Sequence, residues 1–425
     1  MTVSAIAPAG TSPAILWPWD LACRSCHRPA PAGPTAICEH CLGPLDPVPP
    51  ASRTLPDRAT IASRAPTLWR YREWLPFTGT PALSLDSGFT PLVEAPRLAE
   101  RLGVARCWVK NDSVSHPTLS FKDRVVTAAI NAAHAFGLDT IGCASTGNLA
   151  NAVAAHAARA GLRAWVFIPH DLELGKVLGT QVYAPHVVRI KGHYDDVNRL
   201  CAQVADFFGW GIVNVNLRAY YGEGSKTMAF EIAEQLGWRL PTAVVAPMAG
   251  GSLVTKLHKG FGEATDAGLV SGDAPRIYGA QAAGCAPIVN LVQSGADAIT
   301  PVVPDTIARS IAIGNPADGL YARRAILSSG GNAVAVGEAD LVHGIRRLAE
   351  DVGIFTETAG GVTVAGALAL AQQGAFRADD EVVLCITGNG LKTTEAITDP
   401  RYNAAIDAPV IAPKLSEVRR LVEAQ

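Results

Sequence analysis

Four cysteines near the start of the chain have the spacing of a metal site. Cys23 and Cys26 form one Cys-x-x-Cys pair, Cys38 and Cys41 form a second, and eleven residues separate the pairs. Each pair can direct two thiolates at one point, so the sequence predicts a closed tetrahedral zinc site with a structural role. Few apolar side chains surround the cysteines, and metal binding would offset the entropy cost of folding this segment. A redox dithiol or a chance cluster is the alternative interpretation.

A single lysine stands out for its position at a predicted helix start. Lys122 lies in Ser120-Phe-Lys-Asp-Arg124, ahead of a long helical pattern. A capping box, with Ser120 as the cap and Asp123 reaching back, would explain its neighbours. The lysine itself would face the positive end of the helix dipole, which favours a neutral, nucleophilic amine. Lys122 is therefore a candidate for covalent catalysis, although most lysines are simply solvated.

Two segments between a predicted strand and a predicted helix are rich in small residues. Ser145-Thr-Gly-Asn148 offers backbone N–H groups and hydroxyls to an anion. Pro247-Met-Ala-Gly-Gly-Ser252 would let a phosphate approach the backbone closely. Neither matches a P-loop or Gly-x-Gly-x-x-Gly, and such turns often serve packing alone. Together with Lys122, they favour a site for an anionic ligand.

The elements that must position these residues follow an α/β rhythm after about residue 65. Apolar runs predict strands at 140–144, 164–168, 243–246 and 382–386. Helical patterns follow over 149–160, from about Leu174 and from Leu253. Strand, turn and helix in this order favour parallel sheets covered by helices.

Composition narrows the class of protein. The 425 residues carry a formal net charge of −2, which gives no basic field for nucleic acid or an anionic membrane. The apolar run 362–371 is too short for a bilayer, which takes about 20 residues, and predicts a core helix. Residues 1–13 lack a secretory pattern, so we expect a cytoplasmic enzyme.

The other five cysteines are expected to be buried thiols: Cys107, Cys143, Cys201, Cys285 and Cys385.

The ordered set of motifs resembles the fold-type II pyridoxal 5′-phosphate (PLP) enzymes, and within them the threonine synthase family. The resemblance covers about residues 20–400, and proteins of this kind often carry a four-cysteine segment too. It is more specific for the cofactor than for the substrate. Beside the lysine segment and the two loops, the motifs are Leu68-Trp-Arg-Tyr-Arg72, Gly88-Phe-Thr-Pro-Leu92, Glu223-Gly-Ser-Lys-Thr227, Ser310-Ile-Ala-Ile-Gly-Asn-Pro316 and Thr387-Gly-Asn-Gly-Leu-Lys392.

The resemblance implies a tryptophan synthase β-like fold: two three-layer α/β domains, PLP in the cleft between them, and a small N-terminal zinc-ribbon-like segment. We expect a loose arm over 1–20 and the cysteine segment over 21–50. The large domain would comprise 51–109 and 231–405, and the small, mobile domain 110–230. A C-terminal helix would occupy 406–425.

Cofactor roles follow from the same resemblance. Lys122 would carry PLP as a Schiff base and move protons. Asn148 would face the ring hydroxyl and Thr387 the pyridine nitrogen, where a neutral hydroxyl leaves that nitrogen unprotonated. The cofactor phosphate would be held by Ala249, Gly250, Gly251 and Ser252.

The reaction implied is the conversion of O-phospho-L-homoserine and water to L-threonine and phosphate, by γ-elimination and addition of water at the β carbon. Ser145 and Thr146 would bind the carboxylate of this amino-acid substrate. Its phosphate needs cations, for which the candidates are Asn216, Arg218 and Lys226, although both cations could instead lie on a solvated face. A homodimer is compatible with the family likeness.

Three departures from the family pattern leave other functions open. His116-Pro-Thr-Leu replaces the commoner Asn-Pro-Thr-Gly, Ala249 stands where a glycine usually begins the phosphate loop, and Thr358-Ala-Gly-Gly follows Glu357. Ala249 requires a backbone outside the left-handed region. Another fold-type II reaction, by a threonine or serine dehydratase or a cysteate synthase, is one alternative. A non-catalytic zinc-ribbon binding module on a PLP scaffold is the other.

Overall fold

The computed structural model describes residues 17–79, 81, 83–170, 172–192, 194–402 and 408–423. Residues 1–16 of the predicted arm therefore lie outside the described residues. The end of that arm is attached to the protein, because β1 (Trp17–Pro18) pairs antiparallel with β5 (Phe77–Thr78). Among the described residues, no helix is both long and apolar enough to cross a membrane.

The cysteine segment forms its own antiparallel sheet. Its three short strands are β2 (Leu21–Cys23), β3 (Pro29–Ala30) and β4 (Leu45–Pro47), in the order β3-β2-β4. Leu21 and Leu45 are buried and join the main hydrophobic cluster of the protein. The segment thus packs onto the rest of the protein.

A four-stranded parallel sheet lies between residues 140 and 212. Its order is β10-β9-β8-β11. The predicted strand 140–144 is confirmed at both ends, and the strand predicted at 164–168 is longer by one residue at each end. Its strands are β8 (Thr140–Ala144), β9 (Arg163–Pro169), β10 (His186–Ile190) and β11 (Gly211–Ile212).

The second sheet has six strands in the order β14-β13-β12-β15-β7-β6. All neighbours are parallel except β6 and β7. The strands predicted at 243–246 and 382–386 are confirmed as its two central members. Its strands are β6 (Leu92–Glu94), β7 (Arg106–Asn111), β12 (Ala243–Pro247), β13 (Arg276–Ala282), β14 (Ala333–Val336) and β15 (Glu381–Ile386).

Helices alternate with these strands, as the sequence pattern predicts. The run 362–371 lies inside the buried helix α12, and the five scattered cysteines are buried free thiols, both as predicted. The helices are α1 (Arg58–Ala62), α2 (Pro96–Leu102), α3 (Lys122–Ala135), α4 (Asn148–Ala160), α5 (Leu174–Gln181), α6 (Tyr194–Phe208), α7 (Arg218–Gln235), α8 (Ser252–Asp266), α9 (Pro287–Ser294), α10 (Gly319–Ser328), α11 (Glu338–Val352), α12 (Thr358–Gln372), α13 (Glu395–Thr398) and α14 (Leu415–Glu423).

A buried ion cluster fixes the start of α3 against the six-stranded sheet and α7. Arg124 Nε lies 2.6 Å from Asp112 Oδ2, and its Nη2 lies 2.7 Å from Glu231 Oε2. Lys110 on β7 contacts the same Glu231 oxygen at 2.7 Å. Burial raises the pKa of Glu231, but the two cations outweigh it and lower that pKa to about 2. The cluster stands two residues from Lys122 and so holds the helix turn that presents it.

We expect Arg124→Met to lower the free energy of unfolding by about 3–5 kcal/mol, because it leaves two buried carboxylates with one cation fewer. The measurement is a urea unfolding curve. Arg163→Met is the matched control, since Arg163 pairs with Asp139 on the surface, and its midpoint should stay close to that of the unchanged protein. Equal midpoints for the two variants would contradict the role of the cluster.

Candidate active site

A cavity of about 200 Å³ opens where parallel strands of both sheets end. Its lining residues include Ser145 after β8, Ala249 after β12 and Thr387 after β15. Ligands of α/β proteins commonly bind outside the carboxyl ends of such strands. The two small-residue loops and the lysine segment, widely separated in sequence, meet in this cavity.

Lys122 enters the cavity as the first residue of α3. The turn before it is tied to the end of β15, because the Phe121 N–H donates to the Thr387 carbonyl at 2.9 Å and Ser120 bridges to Gly388. The predicted capping box is wrong. The Ser120 hydroxyl has no hydrogen-bond partner within the described part of the chain, and the Asp123 carboxylate instead accepts from the N–H and hydroxyl of Thr118.

The amine of Lys122 is in an environment that favours its neutral form. Its Nζ donates to the Tyr221 hydroxyl at 3.2 Å. Burial lowers the pKa of Lys122 to about 8, and the nearby Glu357 carboxylate opposes that shift. Desolvation thus acts in the same direction as the helix position on which the sequence argument relied.

The loop after β12 forms an anion cradle at the start of α8. Gly251 has a φ of 92°, and a Cβ there would lie 3.0 Å from both the Asp318 carbonyl oxygen and the Ala322 Cβ. Ala249 lies outside the left-handed region, as its side chain requires. No described side chain caps the start of this 15-residue helix. Its first N–H groups therefore remain available to an anion.

The loop after β8 presents two hydroxyls. Ser145 Oγ accepts from the Gly147 N–H at 2.9 Å and the Ala150 N–H at 2.8 Å, which leaves its own proton to donate. Thr146 Oγ1 donates to the Ser310 carbonyl at 3.3 Å. Both residues line the cavity.

Asn148 is held at both ends of its amide. Its Nδ2 donates to the two Glu357 oxygens at 2.8 and 2.9 Å, and its Oδ1 accepts from Lys392 Nζ at 3.2 Å. Burial lowers the pKa of Lys392 to about 8, with Glu357 again opposing. Gly388 is required beside them, because a Cβ there would lie 2.3 Å from Glu357 Oε1.

Of the three residues expected to bind a substrate phosphate, the structure brings only Arg218 to the cavity. Asn216 is used by the backbone, accepting from the Ile212 N–H and donating to the Trp210 carbonyl. Lys226 is fully buried elsewhere among described acidic residues, with its Nζ 2.6 Å from Glu223 and 2.8 Å from Glu263. The expectation that Asn216 and Lys226 grip the substrate is thus corrected: both side chains are already committed to the fold.

Sequence reasoning missed several polar residues that the structure brings to the cavity. Glu357 lines the cavity, and Lys392 lies behind Asn148; both stand in the motif segments of the sequence, but only the fold shows that they meet Asn148. Tyr221 gave no signal, because it lies within a helix with no distinctive spacing. Further members of this set are Tyr194, Asp195, Asn198, Asn214, Ser225, Asn315 and Asp318.

The four N-terminal cysteines converge as their spacing predicts. All four Sγ atoms lie within 4.8 Å of one another, with Cys23 and Cys41 at 3.4 Å and Cys26 and Cys38 at 3.7 Å. Zinc bound to four thiolates at about 2.3 Å places the sulfurs about 3.8 Å apart. Backbone N–H groups of Cys26 and Ser25 donate to Cys23 Sγ and lower the pKa of that thiol to about 6. The donor set suits a thiophilic metal.

Comparison with known proteins agrees with this geometry. Residues 83–388 match the pyridoxal-phosphate dependent enzyme family. A threonine synthase of Methanosarcina acetivorans is 36% identical over 368 residues, which cover 85% of this chain and 89% of that protein. One of Synechocystis sp. is 38% identical over 359 residues, which cover 82% and 90%.

Solved structures add the fold. The processed form of threonine deaminase isoform 2 from Solanum lycopersicum has a TM-score of 0.60 at 21% identity, covering 73% of this chain and 87% of that one. Maize serine racemase has a TM-score of 0.60 at 18% identity, covering 79% and 92%. Together with the family match, these likenesses confirm the fold-type II α/β architecture.

The lowered pKa of Lys122 predicts how its reactivity depends on pH. In cofactor-free protein, reductive methylation at Lys122 should be half-maximal near pH 8, because the reactive neutral amine accumulates as pH rises through the pKa. Glu357→Gln should move this midpoint to lower pH, since the carboxylate favours the ammonium. Peptide mass spectrometry reads the label. The control Glu395→Gln, an exposed carboxylate, should change nothing; a shift to higher pH in Glu357→Gln would refute the electrostatic account.

Proposed function

The chain belongs to the threonine synthase family of PLP-dependent lyases, and from that premise we propose that it converts O-phospho-L-homoserine and water to L-threonine and phosphate. The observation that carries the proposal is the meeting, in one cavity, of a desolvated lysine amine and an uncapped helix start. The first supplies a covalent attachment point for PLP, and the second supplies donors for its phosphate.

The residues around the cavity fit PLP. Lys122 would hold its aldehyde carbon, and the turn from Ala249 to Ser252 would hold its phosphate. Thr387 would face the pyridine nitrogen with a neutral hydroxyl, and Asn148 would face the ring hydroxyl. When bound, PLP supplies an electron-accepting ring that stabilises negative charge on substrate carbons.

Proton transfer is the task of Lys122. A pKa near 8 leaves a substantial neutral fraction of this amine near physiological pH, so its Nζ can take a proton from the substrate α carbon and then from the β carbon. The Tyr221 hydroxyl, 3.2 Å away, orients the amine. Nζ must release the first proton before it takes the second. Phosphate then departs from the γ carbon, water adds at the β carbon, and the γ and α carbons each regain a proton.

Substrate binding divides between two ends of the cavity. Ser145 would donate its hydroxyl proton to the substrate carboxylate, and Thr146 would do the same once its hydroxyl turns away from the Ser310 carbonyl. Arg218 would contact the substrate phosphate, since of the three original candidates it alone lines the cavity. The guanidinium suits this role because its fork of donors matches phosphate oxygens.

Movement of the small domain would complete the site. The four-stranded sheet falls within residues 110–230, and the six-stranded sheet draws its strands from 92–111 and 243–386. We propose that, within 110–230, the part that carries the four-stranded sheet closes over the substrate and excludes water from reactive species, while the turn at Lys122 stays fixed to the six-stranded sheet.

The activity prediction is direct. Purified holoenzyme given O-phospho-L-homoserine should release phosphate and threonine in equal amounts, and Lys122→Ala should reduce the rate by at least about 1000-fold because it removes both attachment and base. Lys414→Ala, an exposed lysine on another part of the surface, is the matched control.

Other outcomes would identify the alternatives. Release of pyruvate or 2-oxobutyrate from serine or threonine, with no phosphate release from O-phospho-L-homoserine, would indicate a dehydratase. Visible absorbance that borohydride bleaches, and that Lys122→Ala lacks, would exclude a non-catalytic binding module.

We also propose that the four cysteines hold one structural zinc ion. The protein as purified should contain about one zinc per chain, and Cys26→Ser should lower both the zinc content and the unfolding temperature, because a closed site contributes folding energy. Cys285→Ala, a buried thiol outside the cluster, should keep its zinc. Elemental analysis finding full zinc in Cys26→Ser would contradict the assignment.

A further inference from the structure

The first Cys-x-x-Cys turn contacts the helix that borders the active site. Its two middle residues, Arg24 and Ser25, both contact the start of α10. The Arg24 guanidinium lies over the Tyr321 ring, with Cζ 3.7 Å from the ring centroid. Ser25 Oγ lies 2.9 Å from the Tyr321 hydroxyl. The cysteine segment therefore fixes a cation against the first turn of α10.

The same cation reaches Asp318, which precedes the first residue of α10 and lines the active-site cavity. Arg24 Nη1 donates to Asp318 Oδ1 at 3.2 Å, while Arg218 Nη2 lies 2.5 Å from Asp318 Oδ2. The two carboxylate oxygens are thus divided between two arginines, one from the cysteine segment and one from the cavity. Only 8% of the Asp318 side chain is exposed, so these contacts are poorly screened.

Asp318 is also part of the anion cradle. Its N–H donates to the Gly250 carbonyl at 3.0 Å. Its own carbonyl lies where a Cβ on Gly251 would come within 3.0 Å. A change in the position of Asp318 would therefore reach both the cradle and Arg218.

We propose that Arg24 is a positioning residue for the active site: by occupying one oxygen of Asp318, it keeps Arg218 available to the anionic group of the substrate. The three groups together carry one net positive charge. Without Arg24, the carboxylate would turn both oxygens to Arg218 and neutralise it. This inference rests on the proposed function for the identity of the anionic group, a phosphate.

A second contact of Arg24 must be separated from this role. Its Nε lies 3.9 Å from Asp46, which also pairs with Lys256 and Lys259. That contact is longer and belongs to a network with cations of its own. A purely structural role for Arg24 would act through this network and the Tyr321 ring, and would not depend on Asp318.

The test compares full-length, PLP-loaded variants. Arg24→Ala should raise the KM for O-phospho-L-homoserine roughly five- to tenfold with kcat within about twofold, because both oxygens of Asp318 then pair with Arg218 and weaken its hold on the anion. The dissociation constant for inorganic phosphate, measured by calorimetry, should rise by a similar factor. Arg28→Ala is the matched control: it changes an exposed arginine of the same segment. Tyr321→Phe, which removes only the bond to Ser25, should leave both constants unchanged.

A double-mutant cycle identifies the route. If Arg24 acts through Asp318, Arg24→Ala should change phosphate affinity by less than about twofold in an Asp318→Asn background. Three results would overturn the inference. Arg24→Ala could weaken phosphate binding equally in both backgrounds, or it could leave the phosphate dissociation constant unchanged. Tyr321→Phe could also weaken phosphate binding as much as Arg24→Ala does. The phosphate-binding measurement needs no turnover, so it tests the role of Arg24 even if the protein does not act on O-phospho-L-homoserine. Lack of that activity would refute the proposed function alone.

Discussion

The structure depends on one constraint: the amine of Lys122 must be shielded from water in the same cavity as the turn before α8, whose backbone N–H groups can bind an anion. Lys122 meets this requirement because its turn is pinned on two sides. The Phe121 N–H is bonded to the end of β15, and the Arg124 guanidinium is buried in the ion cluster with Asp112 and Glu231. Removing charge from water is costly, and each buried charge in that cluster is stable only because an opposite charge contacts it. The turn that carries Lys122 is therefore held in place by contacts of the fold itself.

A second constraint is the placement of one carboxylate among amines. Glu357 accepts two hydrogen bonds from Asn148 and raises, against burial, the pKa of both Lys122 and Lys392. Without it, burial alone would leave both amines still more easily deprotonated. With it, the pKa of each lysine is about 8, so both amines can hold or release a proton near neutral pH. Gly388 gives the carboxylate the room it occupies.

Much of this architecture could be predicted from the sequence because it rests on local patterns. Buried strands such as 140–144 are mostly apolar, and the small-residue loops that follow such strands lie at the carboxyl ends of the two parallel sheets. The wrong predictions concern residues whose role depends on tertiary contacts. Ser120 fits a capping box, yet a bridge between its backbone and Gly388 fixes the turn in another way. Lys226 is two turns along α7 from Arg218, and only the fold shows that Glu223 and Glu263 neutralise the lysine while the arginine reaches the cavity.

The cysteine segment contributes to the charge balance of the cavity, because its Arg24 pairs with Asp318 in the cavity lining. The residues lining the cavity include the permanent cation of Arg218 and the partly neutral amine of Lys122, but also the carboxylates of Asp195, Asp318 and Glu357. These carboxylates would repel a substrate that carries a phosphate and a carboxylate, unless hydrogen-bond donors of the protein already bind them. Asn148, itself held by Lys392, donates to both oxygens of Glu357, and Arg24 donates to one oxygen of Asp318. A small segment with little core of its own therefore reaches the lining of the cavity, because the first Cys-x-x-Cys turn holds Arg24 against Asp318.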